Sequence, residues 1–249
     1  MRLALVAMAA CAVPVDHAAV GLDELGMLAA GQGDGLYFAL PTMATSNAMY
    51  ARLGALHRKF FDDACQPSLV LAHGARELNT DFSRALMAAQ PAEVDYATDD
   101  TSATTRCNQW FGDSRKKALL ADVGVGTIDQ VLMGLLPFRH QSLRLYGLAR
   151  KVLIVDEVHA YDLYMQTLLE QLLTHHARQG GSAILLTATL PQSMRQALVS
   201  AWRAGLNAPA ASIAHEAFPL STQVSADGVA EQPVDARAGI ARCVAVEWL

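Results

Sequence analysis

Two adjacent carboxylates follow a short apolar segment and are the residues best suited to chemistry. Asp156 and Glu157 come directly after residues 152–155, and His159 follows two positions later. Adjacent carboxylates repel each other, and a bound cation would offset that repulsion. Hydrated Mg²⁺ prefers one or two carboxylates together with phosphate oxygens, and a second carboxylate can position a water for attack on a phosphoryl group. Alternatively, the pair only caps the next helix, because acidic residues favour its N-terminal dipole.

Small and hydroxyl-bearing residues follow the next apolar segment. Thr187 and Thr189 come after residues 183–186. We expect His159 to form a hydrogen bond with one of these threonines and so to sense whether phosphate occupies the site. Taken alone, His159 would be an ordinary residue in the first turn of a helix. The two motifs in this order are more specific than either motif by itself.

Apolar segments alternate with helical periodicity along the chain. Five segments are typical of strands, over residues 35–40, 68–72, 121–125, 152–155 and 183–186. Helical patterns cover about 49–60, 128–135, 168–176 and 192–204, and Thr127 is a candidate N-cap. The alternation predicts an α/β fold with a mostly parallel sheet flanked by helices. Ligands of such sheets bind outside the carboxyl ends of the strands, so we expect five residues to share one end of the sheet: Thr42, Gly126, Asp156, Glu157 and Thr187.

Two further strand ends carry residues suited to contact a nucleic-acid backbone. They are Pro41, Thr42, Thr45 and Asn47 after the first strand, and Gly126, Thr127 and Gln130 after the third. Main-chain amides, hydroxyls and side-chain amides can bind phosphates without reading the base sequence. Thr42, Thr45 and Asn47 are equally suited to ordinary helix capping.

Composition limits the function classes. The 249 residues are 52% hydrophobic and 17% charged, which excludes a disordered chain. A net charge of -5 provides no overall attraction for nucleic acid, so any contact must be local. The basic residues 115–117 either take part in that contact or form a solvated helix face.

Cysteine usage and the N-terminal apolar run bear on the cellular compartment. The four cysteines include no Cys-x-x-Cys pair, which excludes a disulfide framework and a zinc site and favours the cytoplasm. The apolar run over residues 3–15 is too short to span a membrane. It could be the core of a signal peptide, which leaves an exported or lipid-anchored protein as an alternative.

The motifs together resemble a known family. Residues 155–159 with Thr187–Thr189 resemble motifs II and III of superfamily 2 DExH helicases. The longer strings 37–45, 121–130 and 156–162 are similar to the CRISPR-associated helicase-nuclease of type I systems, and the resemblance extends over about 35–249. It implies a RecA-like motor domain of the P-loop NTPase type.

The resemblance also implies roles for the site residues. Asp156 would bind the Mg²⁺ of Mg-ATP, Glu157 would polarise the attacking water, and His159 with Thr187 and Thr189 would couple nucleotide state to domain movement. Single-stranded DNA would be held by the residues that follow the first and third strands. Full-length members would be ATP-dependent DNA translocases of antiviral interference, recruited by a CRISPR RNA-guided surveillance complex, with no membrane partner.

The chain departs from the family pattern near its start. A phosphate-binding loop G-x-x-x-x-G-K-[ST] is expected upstream of Gly35, yet residues 1–34 contain no lysine. We hypothesise an atypical start over 1–34 (wrong-frame or disordered), a partial first RecA-like domain over 35–206, and a linker over 207–249. That linker would include a strand at 243–247 and lead toward an absent second RecA-like domain.

These departures weaken the expected catalysis. We expect poor binding of Mg-ATP and no ATP hydrolysis by this chain alone, with the family's nuclease domain absent as well. The alternatives are a non-catalytic nucleic-acid-binding remnant and a portion of a general superfamily 2 RNA or DNA helicase.

Overall fold

The computed structural model describes residues 3–7, 33–60, 67–74, 79, 82–83 and 117–234. Their strands are β1 (Leu3–Ala7), β2 (Leu36–Leu40), β3 (Leu69–Ala72), β4 (Val123–Thr127), β5 (Val152–Val155), β6 (Ser182–Thr187), β7 (Leu220–Val224) and β8 (Val229–Pro233). Their helices are α1 (Met43–Phe60), α2 (Ile128–Leu132), α3 (Gln141–Leu148), α4 (Leu163–Arg178) and α5 (Gln192–Gly205). Short 3₁₀ turns cover Ala118–Leu120 and Val158–Ala160.

One mostly parallel sheet contains all of these strands. Its order is β3-β4-β2-β5-β6-β1-β7-β8. The first six strands of that order run parallel to one another, and β7 and β8 continue the sheet in antiparallel pairing. The predicted α/β fold, with at least five strands in a mainly parallel sheet, is confirmed.

The register brings the strand ends together at one end of the sheet. Ala39 lies opposite both Gly126 and Val155, and Ala7 lies opposite Thr187. We call this the carboxyl end, which comprises the last residues of β1 to β6 and the residues that follow them. The amino end is the opposite one, where these six strands begin.

Burial explains why the central strands form. Every residue of β2 and β5 is buried, as a parallel strand covered on both faces requires. Helices α4 and α5 pack against each other, and Trp202 of α5 is fully buried. Gly205 permits their close approach, because a Cβ there would lie only 2.5 Å from the carbonyl oxygen of Thr174.

The amino end is closed by buried polar groups that bond to main-chain carbonyls. Lys151 Nζ donates to Leu119 O at 2.7 Å and also to Ala121 O. His176 Nε2 lies 3.0 Å from the carbonyl oxygens of Lys151 and Ser182, and it carries the hydrogen because carbonyl oxygens only accept. Burial lowers the pKa of Lys151 to about 8 and also lowers the pKa of His176.

Some elements differ from those predicted. The sheet extends beyond residues 35–206 at both sides, because β1 lies within the segment assigned to an atypical start and the β7–β8 hairpin lies within the segment assigned to a linker. Helix α3 was also not predicted. The predicted strand at 243–247 lies outside the described residues. No helix in the described part of the chain is long and apolar enough to cross a membrane.

Candidate functional site

Asp156 is held at the carboxyl end of β5 by its own backbone. Its N–H donates to Ala39 O at 3.0 Å, and its Oδ1 accepts from the N–H of Glu157 at 2.9 Å. The hydroxyl of Tyr161 donates to Asp156 O at 3.3 Å. These bonds fix the turn that leaves β5 and keep the carboxylate at the rim of the sheet.

Glu157 occupies an unusual backbone conformation. Its φ of 56° lies in the left-handed region. Residues other than glycine rarely adopt this backbone conformation, and it often marks functional sites. The turn leads directly into Val158–Ala160, where the N–H of Ala160 donates to Glu157 O. The Glu157 side chain is 45% exposed, so its carboxylate remains accessible to water.

A hydrogen-bonded chain joins the two predicted motifs. His159 Nδ1 lies 3.2 Å from Glu157 Oε2 and 3.2 Å from Thr187 Oγ1. Thr187 Oγ1 donates its only hydrogen to Thr189 O at 2.7 Å, so it must accept from His159. Nδ1 of His159 therefore carries a hydrogen, and the ring lies between the end of β5 and the end of β6. Thr189 takes part through its carbonyl group, while its side chain is exposed.

Negative charge is concentrated around Tyr161. The pKa of the buried Tyr161 hydroxyl is raised, first by burial and then by the charges of Asp156, Asp129 and Glu157. Asp129 belongs to the first turn of α2 and was not singled out from the sequence. Three carboxylates from two strand ends therefore contribute to one negative region that would attract a cation.

These carboxylates suit a metal that is shared with phosphate. The described residues contain no cluster of three His, Cys, Asp or Glu side chains arranged to hold a metal by themselves. Mg²⁺ commonly binds one or two carboxylates and takes its other ligands from water and substrate phosphates. Asp156 fits that ligand role, and Glu157 beside it fits the positioning of a water.

The residues after β2 cap helix α1. The hydroxyl of Thr42 accepts from the N–H of Thr45 at 3.1 Å, and Thr45 Oγ1 accepts from the N–H of Thr42 at 3.3 Å. Both threonines are exposed, and Pro41 is half-buried. The capping alternative therefore describes the bonds of Thr42 and Thr45, and the Thr45 hydroxyl also donates to Thr42 O at 2.9 Å.

Asn47 has a different set of bonds, on the first turns of α1. Its Oδ1 lies 2.9 Å from His73 Nε2 and accepts from Asn79 Nδ2 at 2.8 Å. Asn79 Oδ1 in turn accepts from the N–H of Phe82 at 2.9 Å. His73 and Asn79 were missed by the sequence reasoning, although His73 directly follows β3 and the strand-end rule could have identified it.

The end of β4 is closely packed, and Gly126 and Thr127, which were predicted to follow this strand, are its last two residues and are buried. A Cβ on Gly126 would collide with the carbonyl group of Ala72 and with the hydroxyl of Tyr37, so only glycine fits there. Thr127 occupies the N-cap position of α2 as predicted, but its side chain makes no capping bond. Gln130 is 8% exposed, and its main-chain O and side-chain Oε1 accept from Arg144 Nη1 at 2.9 and 3.3 Å.

The predicted basic contact at residues 115–117 is not supported by the described residue of that trio. Lys117 precedes the 3₁₀ turn Ala118–Leu120, whose Leu119 carbonyl lies at the amino end beside Lys151. It is thus at the opposite end of the sheet from Thr42 and Gly126, because the chain must still run through β4 to reach the carboxyl end. Residues 115 and 116 lie outside the described residues.

The fold and the site define a class of protein. A mostly parallel sheet carries Asp156, Glu157 and His159 after one strand and Thr187 after its neighbour. This is the arrangement of motifs II and III in a RecA-like domain of the DExH helicases.

Comparison with known proteins identifies the family within this class. The CRISPR-associated endonuclease/helicase Cas3 of Escherichia coli (strain K12) is 45% identical over 173 residues, which are 68% of this chain. The crystal structure of T. fusca Cas3-ATP matches with a TM-score of 0.76 and 33% identity, over 97% of this chain and 26% of that one. A chain of a CRISPR RNA-guided surveillance complex in a pre-nicking state matches with a TM-score of 0.60 and 29% identity, over 92% of this chain and 22% of that one.

The chain is a Cas3 homologue that corresponds to part of the helicase region. It spans 18% of the E. coli relative. No family model matches it. The expected resemblance to the CRISPR-associated helicase-nuclease is confirmed, and so is the RecA-like fold.

Proposed function

We propose that this chain forms the nucleic-acid-contacting and water-positioning part of a DNA-translocating ATPase of type I CRISPR interference, and that alone it binds single-stranded DNA without turning over ATP. The observation that carries the proposal is the bonding of His159 to both Glu157 and Thr187. A residue that contacts both motifs can transmit a change at one strand end to the next.

Within this proposal, the adjacent carboxylates Asp156 and Glu157 have different roles. Mg²⁺ with ATP would supply the electrophilic phosphoryl group, and Asp156 would be the protein's ligand to the metal. Glu157 is half exposed and holds its carboxylate beside His159, so it would orient a water and accept its proton. His159 donates to this carboxylate from Nδ1 and so holds it in one orientation.

The proposed lack of turnover rests on an internal segment of the sequence. Strand β1 ends at Ala7 beside Thr187, and the phosphate loop of this class follows such a strand. Residues 8–34 contain no lysine and no G-x-x-x-x-G-K-[ST] motif. Phosphoryl transfer is catalysed mainly by positioning and charge neutralisation, so the carboxylates alone would not support a useful rate.

Single-stranded DNA would contact the residues after β2 and those at and after the end of β4. The hydroxyls of the exposed residues Thr42 and Thr45 and the side-chain amides of Asn47 and Gln130 are groups that can bind phosphates of any base sequence. Gly126, which was also expected to contribute main-chain groups, is buried in β4 between β2 and β3. Because the net charge is -5, we expect weak binding. The match to a chain of a surveillance complex supports recruitment by such an RNA-guided complex, in the cytoplasm.

The proposal is tested by binding of a fluorescently labelled oligothymidine to the purified chain at increasing salt. Each phosphate whose charge the chain neutralises should add about 0.7 to the slope of log affinity against log salt. An RNA oligonucleotide of equal length distinguishes a DNA motor from a general RNA helicase. Affinity that does not change with salt, or equal affinity for RNA and DNA, would contradict the proposal.

A further inference from the structure

Two side-chain amides at the carboxyl end share an arrangement that their sequence positions do not suggest. Asn47 on α1 and Gln130 on α2 each have the amide oxygen bonded to a neighbouring donor. Neither NH₂ group donates a hydrogen bond within the described part of the chain, and neither nitrogen is among its fully buried unpaired atoms. In each amide, therefore, the oxygen is bonded within the protein, and the NH₂ group is the part left to bind another molecule.

Arg144 fixes the orientation of Gln130. It is 7% exposed on α3, and its Nη1 reaches both oxygens of Gln130. A guanidinium group only donates, so the amide oxygen must face it and the NH₂ group must point away. Arg144 Nε makes no hydrogen bond among the described residues, so Gln130 accounts for the hydrogen bonds that the structure gives to this buried cation.

His73 and Asn79 fix the orientation of Asn47. Asn79 Nδ2 donates to Asn47 Oδ1, so this atom is an acceptor and His73 Nε2 must carry a hydrogen toward it. His73 is 1% exposed at the end of β3. Two donors from different parts of the chain thus converge on one oxygen.

We propose that Arg144 and His73 are positioning residues, which hold the amide oxygens of Gln130 and Asn47 so that both NH₂ groups donate to phosphate oxygens of a single strand. This inference rests on the proposed contact with DNA. Phosphate oxygens only accept hydrogen bonds, so an amide that turned its oxygen outward would repel them. Fixing the amide before binding removes the cost of ordering it in the complex.

Isosteric acids test the proposal, because they keep the inner bonds and change only the outer face. In Gln130→Glu one carboxylate oxygen still accepts from Arg144, and in Asn47→Asp one still accepts from His73 and Asn79. The other oxygen replaces the NH₂ donor. A hydrogen bond to a charged group contributes about 1.5–3 kcal/mol, so each variant should bind labelled oligothymidine about tenfold more weakly or worse.

Three further variants separate this role from a structural one. Asn207→Asp adds the same charge at an exposed position after α5, and its affinity should stay within about twofold of the parent chain, since screening removes distant charge effects. Gln130→Glu should unfold at a temperature equal to or above that of the parent chain, since Arg144 gains a carboxylate partner. Arg144→Lys keeps one donor to Gln130 Oε1 and should bind DNA better than Arg144→Met.

The outcomes distinguish this inference from the proposed function. If the parent chain binds DNA with a salt slope but Gln130→Glu and Asn47→Asp bind no worse than Asn207→Asp, the positioning role is overturned and the DNA contact stands. If Arg144→Lys and Arg144→Met bind equally well, Arg144 does not position Gln130. If the parent chain shows no salt-dependent binding, the proposed function fails first.

Discussion

The two ends of the sheet use similar side chains for different purposes. At the amino end, His176 is fully buried, and its one N–H is shared between two main-chain carbonyls. At the carboxyl end, the side chain of His159 is 33% exposed, and its N–H lies between a carboxylate and a hydroxyl. Both rings are bonded, but only His159 has partners that can exchange protons or bind a ligand.

The difference shows that residue type alone does not identify a functional site. Lys151 is a cation just before β5, and both of the hydrogen bonds that the structure gives its ammonium group go to main-chain carbonyl groups. Glu157 is an anion at the other end of β5, and its side chain is 45% exposed. A polar group whose partners are all main chain stabilises the fold, whereas one with side-chain partners and exposure can take part in chemistry.

The largest expected effect is on stability at the amino end. Lys151→Ala leaves a cavity and removes the donor from Leu119 O and Ala121 O, so it should lower the free energy of unfolding by about 3 kcal/mol. Glu157→Gln, at an exposed position, should change it by no more than about 0.5 kcal/mol. Urea unfolding of both variants measures this contrast, and equal effects would show that the two ends do not differ as described.

A pH titration examines the same lysine without removing its side chain. The pKa of Lys151 is about 8 in the folded chain and 10.5 for an ordinary lysine, so between these values the unfolded state binds more protons. The free energy of unfolding of the parent chain should therefore rise with pH, by up to about 1.4 kcal/mol per unit. Lys151→Met serves as the reference over pH 8–10, because its tyrosines titrate in the same way. A constant difference between the two proteins would refute the lowered pKa.

His176 should make stability depend on pH in the same direction, but over an acidic range. Its pKa is lowered by burial, so below the ordinary histidine pKa of 6.5 the unfolded state binds a proton that the folded state resists. Stability should fall as the pH falls through that value. His176→Gln, which can still donate to a carbonyl group, should lose less stability between pH 7 and pH 5 in thermal unfolding.

The smallest expected effect is at the junction of the two motifs. Thr187→Val removes the hydroxyl that accepts from His159 and donates to Thr189 O, and it should cost about 1 kcal/mol of stability. Thr187→Ser keeps the hydroxyl and should lie closer to the parent chain. If Thr187→Ser, which keeps the hydroxyl and loses only the methyl group, costs as much as Thr187→Val, the hydrogen-bonded chain contributes no more to stability than the packing of that methyl group.

The central sheet could be predicted from sequence because its strands are continuous apolar runs. Strand β5 matches residues 152–155 without any shift. Strand β4 begins two residues later than predicted, since the carboxylate of Asp122 is bonded to the N–H and hydroxyl of Ser68 just before the strand. Strand β7 was missed because Leu220, Thr222 and Val224 are buried alternately within a polar stretch that reads as a loop.

The candidate site was predictable in part, because recognising the apolar strands also locates the residues at their ends. Strand ends identify Asp156, Glu157 and Thr187, because parallel strands finish at one end of a sheet. The partners of the two amides could not be identified, since Asn47 and His73 are 26 residues apart and Gln130 and Arg144 are 14 apart. Such pairs depend on how loops and helices pack, which periodicity does not report.

Phosphate release from ATP by the purified chain, with and without single-stranded DNA and beside Glu157→Gln, tests the central claim most directly. The carboxyl end holds carboxylates and side chains suited to DNA contact, while the sequence after β1 contains no phosphate-loop lysine. We therefore predict no release above that of Glu157→Gln in either condition, although DNA is bound. DNA-stimulated release that Glu157→Gln abolishes would contradict the account.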